Sequence, residues 1–152
     1  MTNSNTIPLH ELIEYAATHI RVQLTQPIDT AIVLGTGLSG LAIPGYHPVT
    51  SIAYADIPGM PTSTAPSHDS ELRIISNGKH TIALCAGRHH LYEGYSAQQV
   101  VTMTYVLRAL GANTLIITNA SGGLNADFAP GDVMLIKDHI NFTGHNPLVG
   151  QG

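Results

Sequence analysis

The densest concentration of hydrogen-bond donors in this chain is Gly87-Arg88-His89-His90-Leu91-Tyr92-Glu93-Gly94-Tyr95. A guanidinium fork matches the oxygens of a dianionic oxyacid, an imidazole adds a second donor, and a phenol can reach a sugar hydroxyl. If strand geometry continues through the segment, alternation puts Arg88, His90 and Tyr92 on one side and His89 on the other. Any one of these residues alone reads better as a solvated strand end with a satisfied histidine. Together they point to an anion site. A second candidate is Thr118-Asn119-Ala120-Ser121-Gly122-Gly123-Leu124-Asn125, at the carboxyl end of an expected strand, where open α/β sheets place ligands. Successive small residues can turn their N–H groups inward around an anion, Ala120 through its backbone alone, although a plain turn explains the same composition equally well.

Gly35-Thr36-Gly37-Leu38-Ser39-Gly40 has the G-x-G-x-x-G pattern after an expected strand, and Asp56 stands near the spacing of a ribose-binding acid. A dinucleotide site would need a crossover helix opening at this turn, and Pro44-Gly45 interrupts it within a few residues. What remains is either a plain strand-to-loop turn or a close approach of backbone N–H groups to an anion, with the Thr36 hydroxyl as a further donor. His68, in Ser67-His68-Asp69, reads by itself as a surface histidine, and Lys137-Asp138-His139 as structural or peripheral.

The elements that must position these groups follow from periodicity. Leu9, Leu12, Ile13, Ala16, Ala17, Ile20 and Leu24 give an amphipathic helix between Pro8 and Leu24, with Pro8 suited to its first turn and Glu11 and Glu14 near the positive end of its dipole. Thr30 to Leu34 reads as a buried strand ending at Gly35. Five prolines between Pro44 and Ser70 argue for mostly irregular loop. Leu72–Ser76 and His80–Ala86 flank Asn77-Gly78 as a hairpin. Ser96 and Gln99 have capping-box spacing before a helix stopped by Gly111. Thr114–Thr118 and Val133–Ile136 read as further buried strands. About five strands with only two long helices predict a mixed α/β sheet left half uncovered, and the loop-like stretch 146–152 adds no closing element.

Composition limits the alternatives. A chain of 152 residues fits a single domain, and charged residues make up 11% of it against roughly 25% in ordinary soluble domains. Such thin charge on a sequence that is 43% apolar points to surface buried against other chains or a missing part rather than to disorder. A net charge of −4 without a basic cluster argues against nucleic acid as a partner. One cysteine, Cys85, permits no internal disulfide and no Cys-x-x-Cys pair. The opening residues lack the pattern of a secretory signal, and no apolar run is long enough for a membrane span, which makes the cytoplasm the expected compartment.

Laid side by side, Val33-Leu34-Gly35-Thr36-Gly37-Leu38, Ser63-Thr64 followed by His68, the Gly87–Tyr95 and Thr118–Asn125 segments, and Gly131–Asn141 closely resemble the trimeric purine nucleoside phosphorylases of the inosine and guanosine type. The resemblance runs in order from the first helix to the last residue. It implies a phosphorylase/nucleosidase-like fold, a mixed sheet flanked by helices, in a homotrimer with sites near subunit interfaces. It also implies that residues 1–152 are the N-terminal part of one nucleoside phosphorylase domain, incomplete at its C-terminus. Carried over residue by residue, Thr36, His68, Arg88, His90 and the Ala120 backbone match phosphate ligands, and Tyr92 matches the tyrosine facing the ribose. Thr36 keeps the hydroxyl of the serine usual in relatives, whereas Ser67 replaces the glycine usual before the histidine. The purine-reading residues of the family fall outside this sequence.

The activity so implied is phosphorolysis of a purine nucleoside to free base and ribose 1-phosphate, a pentosyl transfer in purine salvage. Phosphate is itself the nucleophile and co-substrate, so no covalent catalytic residue, metal or other cofactor is expected. Two other readings stay open: a noncatalytic anion-binding or oligomerisation fragment that needs a complementing chain, and a methylthioadenosine phosphorylase. The Asn119–Gly123 and Tyr92–Tyr95 runs favour the purine nucleoside branch over the latter.

Overall fold

A computed structural model describes residues 7–61 and 70–150. Helix α1 (Leu9–Arg21) follows Pro8, which occupies the cap rather than the first turn, and buries Ala16, Ala17 and Ile20. Strand β1 (Thr30–Leu34) then enters the sheet as an interior strand. The hairpin strands are β3 (Glu71–Ser76) and β4 (Thr81–Ala86), joined by a four-residue turn in which the Asn77 side chain accepts hydrogen bonds from the Lys79 and His80 amides. Helix α2 (Ala97–Ala109) starts at the expected capping box, with the Ser96 hydroxyl accepting from Gln99 N and the Gln99 side chain accepting from Ser96 N. Strand β5 (Thr114–Ile117) follows.

One expectation fails between Pro44 and Ser70: residues His47–Ala53 form an edge strand, β2, and a short 3₁₀ turn follows at Tyr54–Asp56. Pro48 is tolerated because β2 lies at the sheet edge, and the ladder shifts register between Pro48 and Thr50. The sheet order is β2-β3-β4-β1-β5, antiparallel from β2 to β4 and parallel for β4-β1 and β1-β5. Both helices pack on one face, where Ile20, Ile28, Leu72, Ile74, Val106 and Leu107 share a core. Each such side chain contributes roughly 1.5–3 kcal/mol by leaving water.

The second face is not bare, as the helix count had implied. Ile32, Leu34, Ile75, Ile82 and Leu84 are covered there by Leu41, Ile43 and Tyr46 of the segment following β1, so every residue of β4 is buried. Exposure is concentrated at and beyond β5. That strand forms as expected, but it lies at the sheet edge and all four of its residues are exposed rather than buried. Val133–Ile136 forms no strand at all, and Val133 and Leu135 are 98% and 94% exposed. An apolar run becomes a strand only when a neighbouring ladder satisfies its backbone, and no such ladder meets these residues.

Candidate anion site

The carboxyl ends of β4, β1 and β5 lie side by side, and the three segments singled out in the sequence leave from them. Gly35 N donates to Thr118 Oγ1 at 2.8 Å, and Thr118 Oγ1 in turn donates to the Val33 carbonyl at 2.9 Å. A Cβ on residue 35 would lie 2.7 Å from the Thr118 carbonyl oxygen, so glycine is what allows the two loops to touch. From the other side, Arg88 Nη1 donates to the same Thr118 carbonyl at 3.2 Å. Thr118 therefore joins the turn bearing Thr36 to the segment bearing Arg88, with Ala120 exposed two residues further on.

Arg88, His90 and Tyr92 do come together, but not through strand alternation. Strand β4 stops at Ala86, and Gly87 at φ 91° turns the chain out of extended geometry. A 3₁₀ turn at Leu91–Glu93 then brings the side chains into contact. Arg88 Nε donates to His90 Nε2 at 3.1 Å, and His90 Nδ1 lies 2.6 Å from Glu93 Oε1. With Nε2 accepting, the ring proton sits on Nδ1 and is donated to the carboxylate. Glu93 also accepts the His90 amide at 2.9 Å. These bonds from His90 hold the Glu93 carboxyl below the usual carboxylate range. Tyr92 stacks on His90 with centroids 4.6 Å apart and is otherwise exposed.

His89 faces the helix-covered core. It is 5% exposed, meets Tyr95 edge-on at 5.0 Å and Tyr54 at 6.0 Å, and its Nε2 has no hydrogen-bond partner among the described residues. Burial pushes its pKa down, against a smaller opposing effect of a bond to the Pro61 backbone. Tyr54 donates to the Gly87 carbonyl at 3.1 Å, tying this side to the start of the donor-rich segment. Cys85 is buried nearby, and burial pushes its thiol up to about 12, so it offers no thiolate nucleophile at neutral pH. His68 lies outside the described residues. The Gly35 turn opens no helix, which removes the structural basis of a dinucleotide site. Among the described residues, no group of three His, Cys, Asp or Glu side chains could hold a metal ion.

A cavity of about 440 Å³ adjoins Arg88, His90 and Tyr92, with Val33, Val101 and Ile117 among its walls; His89 lines it too, from beside Tyr54, so the expected opposition of His89 to the other three does not hold. A charged rim beside an apolar hollow suits a ligand with an anionic end and a less polar body.

A family model described as the phosphorylase superfamily matches residues 29–152. This chain belongs to that superfamily. Among the relatives of this phosphorylase-superfamily chain, purine nucleoside phosphorylase 1 of Bacillus subtilis is 42% identical over 93% of this chain and 52% of its own length. The Bos taurus purine nucleoside phosphorylase is 44% identical over 80% of this chain and 43% of its own. A solved structure of isoform 2 of the Schistosoma mansoni purine nucleoside phosphorylase, in complex with cytosine and ribose-1-phosphate, superposes with a TM-score of 0.80 at 38% identity, over 93% of this chain and 50% of that one. The chain thus spans about half the length of the curated relatives it matches. Two members of this candidate site were passed over in the sequence. Glu93 stands three residues after His90, a spacing that signals a reciprocal turn cap. Thr118 reads in the sequence as the end of a strand and the start of the small-residue segment, and no local signal joins it to Gly35.

Proposed function

We propose that this chain binds inorganic phosphate and uses it in the phosphorolysis of purine nucleosides to free base and ribose 1-phosphate. The observation that carries the reading is the linked set Arg88–His90–Glu93, fastened through Thr118 to the Thr36 turn at the carboxyl ends of parallel strands. Arg88 supplies the fixed positive charge, while the Thr36 hydroxyl and the Ala120 amide add neutral donors and His68 a further contact. Tyr92, standing on the His90 ring, faces the ribose. The protein's task is then to place a dianion beneath an anomeric carbon that gains oxocarbenium character as the base departs. Phosphate forms the new C–O bond, and the bond to the base nitrogen breaks with its electron pair leaving on the base. No covalent bond to a side chain is needed.

In the same reading residues 1–152 are part of one phosphorylase domain, the assembly is a homotrimer, and the work is purine salvage in the cytoplasm. No helix of the described residues is long and apolar enough to cross a membrane. A second reading is favoured by the exposed Val133, Leu135 and Phe142 surface: a chain that binds the anion but needs a complementing polypeptide for turnover.

The test is inosine cleavage by the chain with and without phosphate, beside phosphate binding by calorimetry. Phosphate-dependent release of hypoxanthine supports the enzyme, binding without turnover supports the second reading, and neither activity refutes both. Cleavage of methylthioadenosine in preference to inosine would move the substrate to the methylthio branch. Arg88→Ala is expected to weaken phosphate binding by about 1.5–3 kcal/mol, the usual worth of charge-assisted bonds.

A further inference from the structure

The segment from Gly35 to Tyr46 leaves β1 at the ligand end and crosses the second face of the sheet. Its first residue is held by the Thr118 hydroxyl, and its later part by Leu41, Ile43 and Tyr46 on the apolar patch. Between these anchors, residues 36–40 are exposed, Gly37 sits at φ 87°, and Gly40 has open space around it. Two backbone bonds, from Leu38 N to the Gly35 carbonyl and from Leu41 N to the Leu38 carbonyl, shape the stretch, and two glycines in five residues limit its stiffness beyond them. One side chain grips it: Arg73 Nη2 donates to the Ser39 carbonyl.

Arg73 is well placed to act as a fixed point. It stands in the middle of β3, opposite Leu84 on one side and Ser51 on the other, with its side chain 25% exposed. Its Nε lies 3.4 Å from Glu71 Oε1, and the other Glu71 oxygen accepts the Ser51 hydroxyl. The guanidinium is thereby paired by charge with a carboxylate that is itself fixed to the neighbouring strand, although its Nε makes no hydrogen bond among the described residues, while its far end holds the turn.

We infer that Arg73 is a positioning residue for the anion site, fixing Ser39 so that the Thr36 hydroxyl stays where an incoming phosphate needs it. The inference rests on the reading of Thr36 as a phosphate donor. Arg73 itself touches no substrate and acts only through the turn. Holding the turn in advance removes an ordering cost from phosphate binding, and the gain should vanish once the Thr36 hydroxyl is gone.

The experiment measures binding of inorganic phosphate by calorimetry to the chain and to Thr36→Val, Arg73→Met, Arg73→Lys and the Thr36→Val/Arg73→Met pair. Arg73→Met is expected to weaken binding about three- to tenfold, Arg73→Lys to recover part of the loss, and the double variant to bind no more weakly than Thr36→Val alone. Should Arg73→Met fail to fold, Glu71→Gln loosens the same guanidinium without removing it and is expected to weaken binding about two- to threefold. Normal affinity in Arg73→Met beside a weakened Thr36→Val overturns the inference, as do losses that multiply in the double variant. Normal affinity in Thr36→Val overturns the phosphate reading of Thr36 instead, and the inference with it.

Discussion

His89 and His90 are adjacent in sequence and opposite in circumstance. His90 is held at both ring nitrogens, by Arg88 and by Glu93, on the side where the strand-end loops meet. His89 is buried between Tyr54 and Tyr95 with one nitrogen unpartnered among the described residues. The difference shows that residue type alone does not make a ligand. One imidazole is locked between two charged side chains at the loop ends of the strands, and the other is enclosed by aromatic rings.

The largest separation between the two should appear on truncation. His90→Ala is expected to weaken phosphate binding about ten- to a hundredfold, because it frees Arg88 Nε from the ring that holds the guanidinium in place. Its effect on stability should stay below about 1 kcal/mol, since the side chain is partly exposed and packs chiefly on the exposed Tyr92. His89→Ala should do the reverse, lowering stability by about 2 kcal/mol through the space left between two tyrosines while phosphate affinity changes less than about twofold. Calorimetric titration and urea unfolding on the same two variants decide it. Matching losses of affinity would erase the contrast.

The pH dependence sharpens it further. Burial lowers the pKa of His89 in the folded chain, so between the ordinary histidine value of about 6.5 and that lowered value the unfolded state binds more protons. Stability should therefore fall as pH falls through this window, with a slope from this residue of at most about 1.4 kcal/mol per pH unit. His89→Phe should flatten that part of the profile. Urea midpoints taken between pH 7 and pH 5 provide the measurement.

Much of the scaffold was legible because its signals are local. Three-and-four spacing located α1, Asn77-Gly78 located the β3–β4 turn, and the Ser96/Gln99 pair located the start of α2. Strand β2 was not legible, since a proline-bearing edge strand takes its shape from the neighbour it pairs with rather than from its own pattern. Val133–Ile136 shows the converse, an apolar run with strand composition and no ladder to join. At the site, the grouping of Arg88, His90 and Tyr92 was anticipated, but a 3₁₀ turn rather than alternation produces it. The Gly35–Thr118 junction spans 83 positions, and only the parallel placing of β1 beside β5 reveals it.

The smallest expected effect probes how the two histidines came to differ. Glu93 accepts both the amide and the ring N–H of His90, so it sets the ring's tautomer as well as its direction. Glu93→Gln keeps an acceptor oxygen of the same reach but removes the charge. Phosphate binding should weaken only about two- to fourfold, with stability at neutral pH changed by less than about 1 kcal/mol. The bonds that lower the Glu93 pKa make the carboxylate's contribution present above the ordinary carboxyl range near 4.3 and lost as pH falls through its lowered folded value. Glu93→Gln should therefore leave acid unfolding less steep, while Glu93→Ala, which deletes the acceptor altogether, should approach the affinity loss of His90→Ala. If Glu93→Ala binds phosphate as tightly as the unaltered chain, His90 owes its role to Arg88 alone, and the carboxylate is only a turn cap.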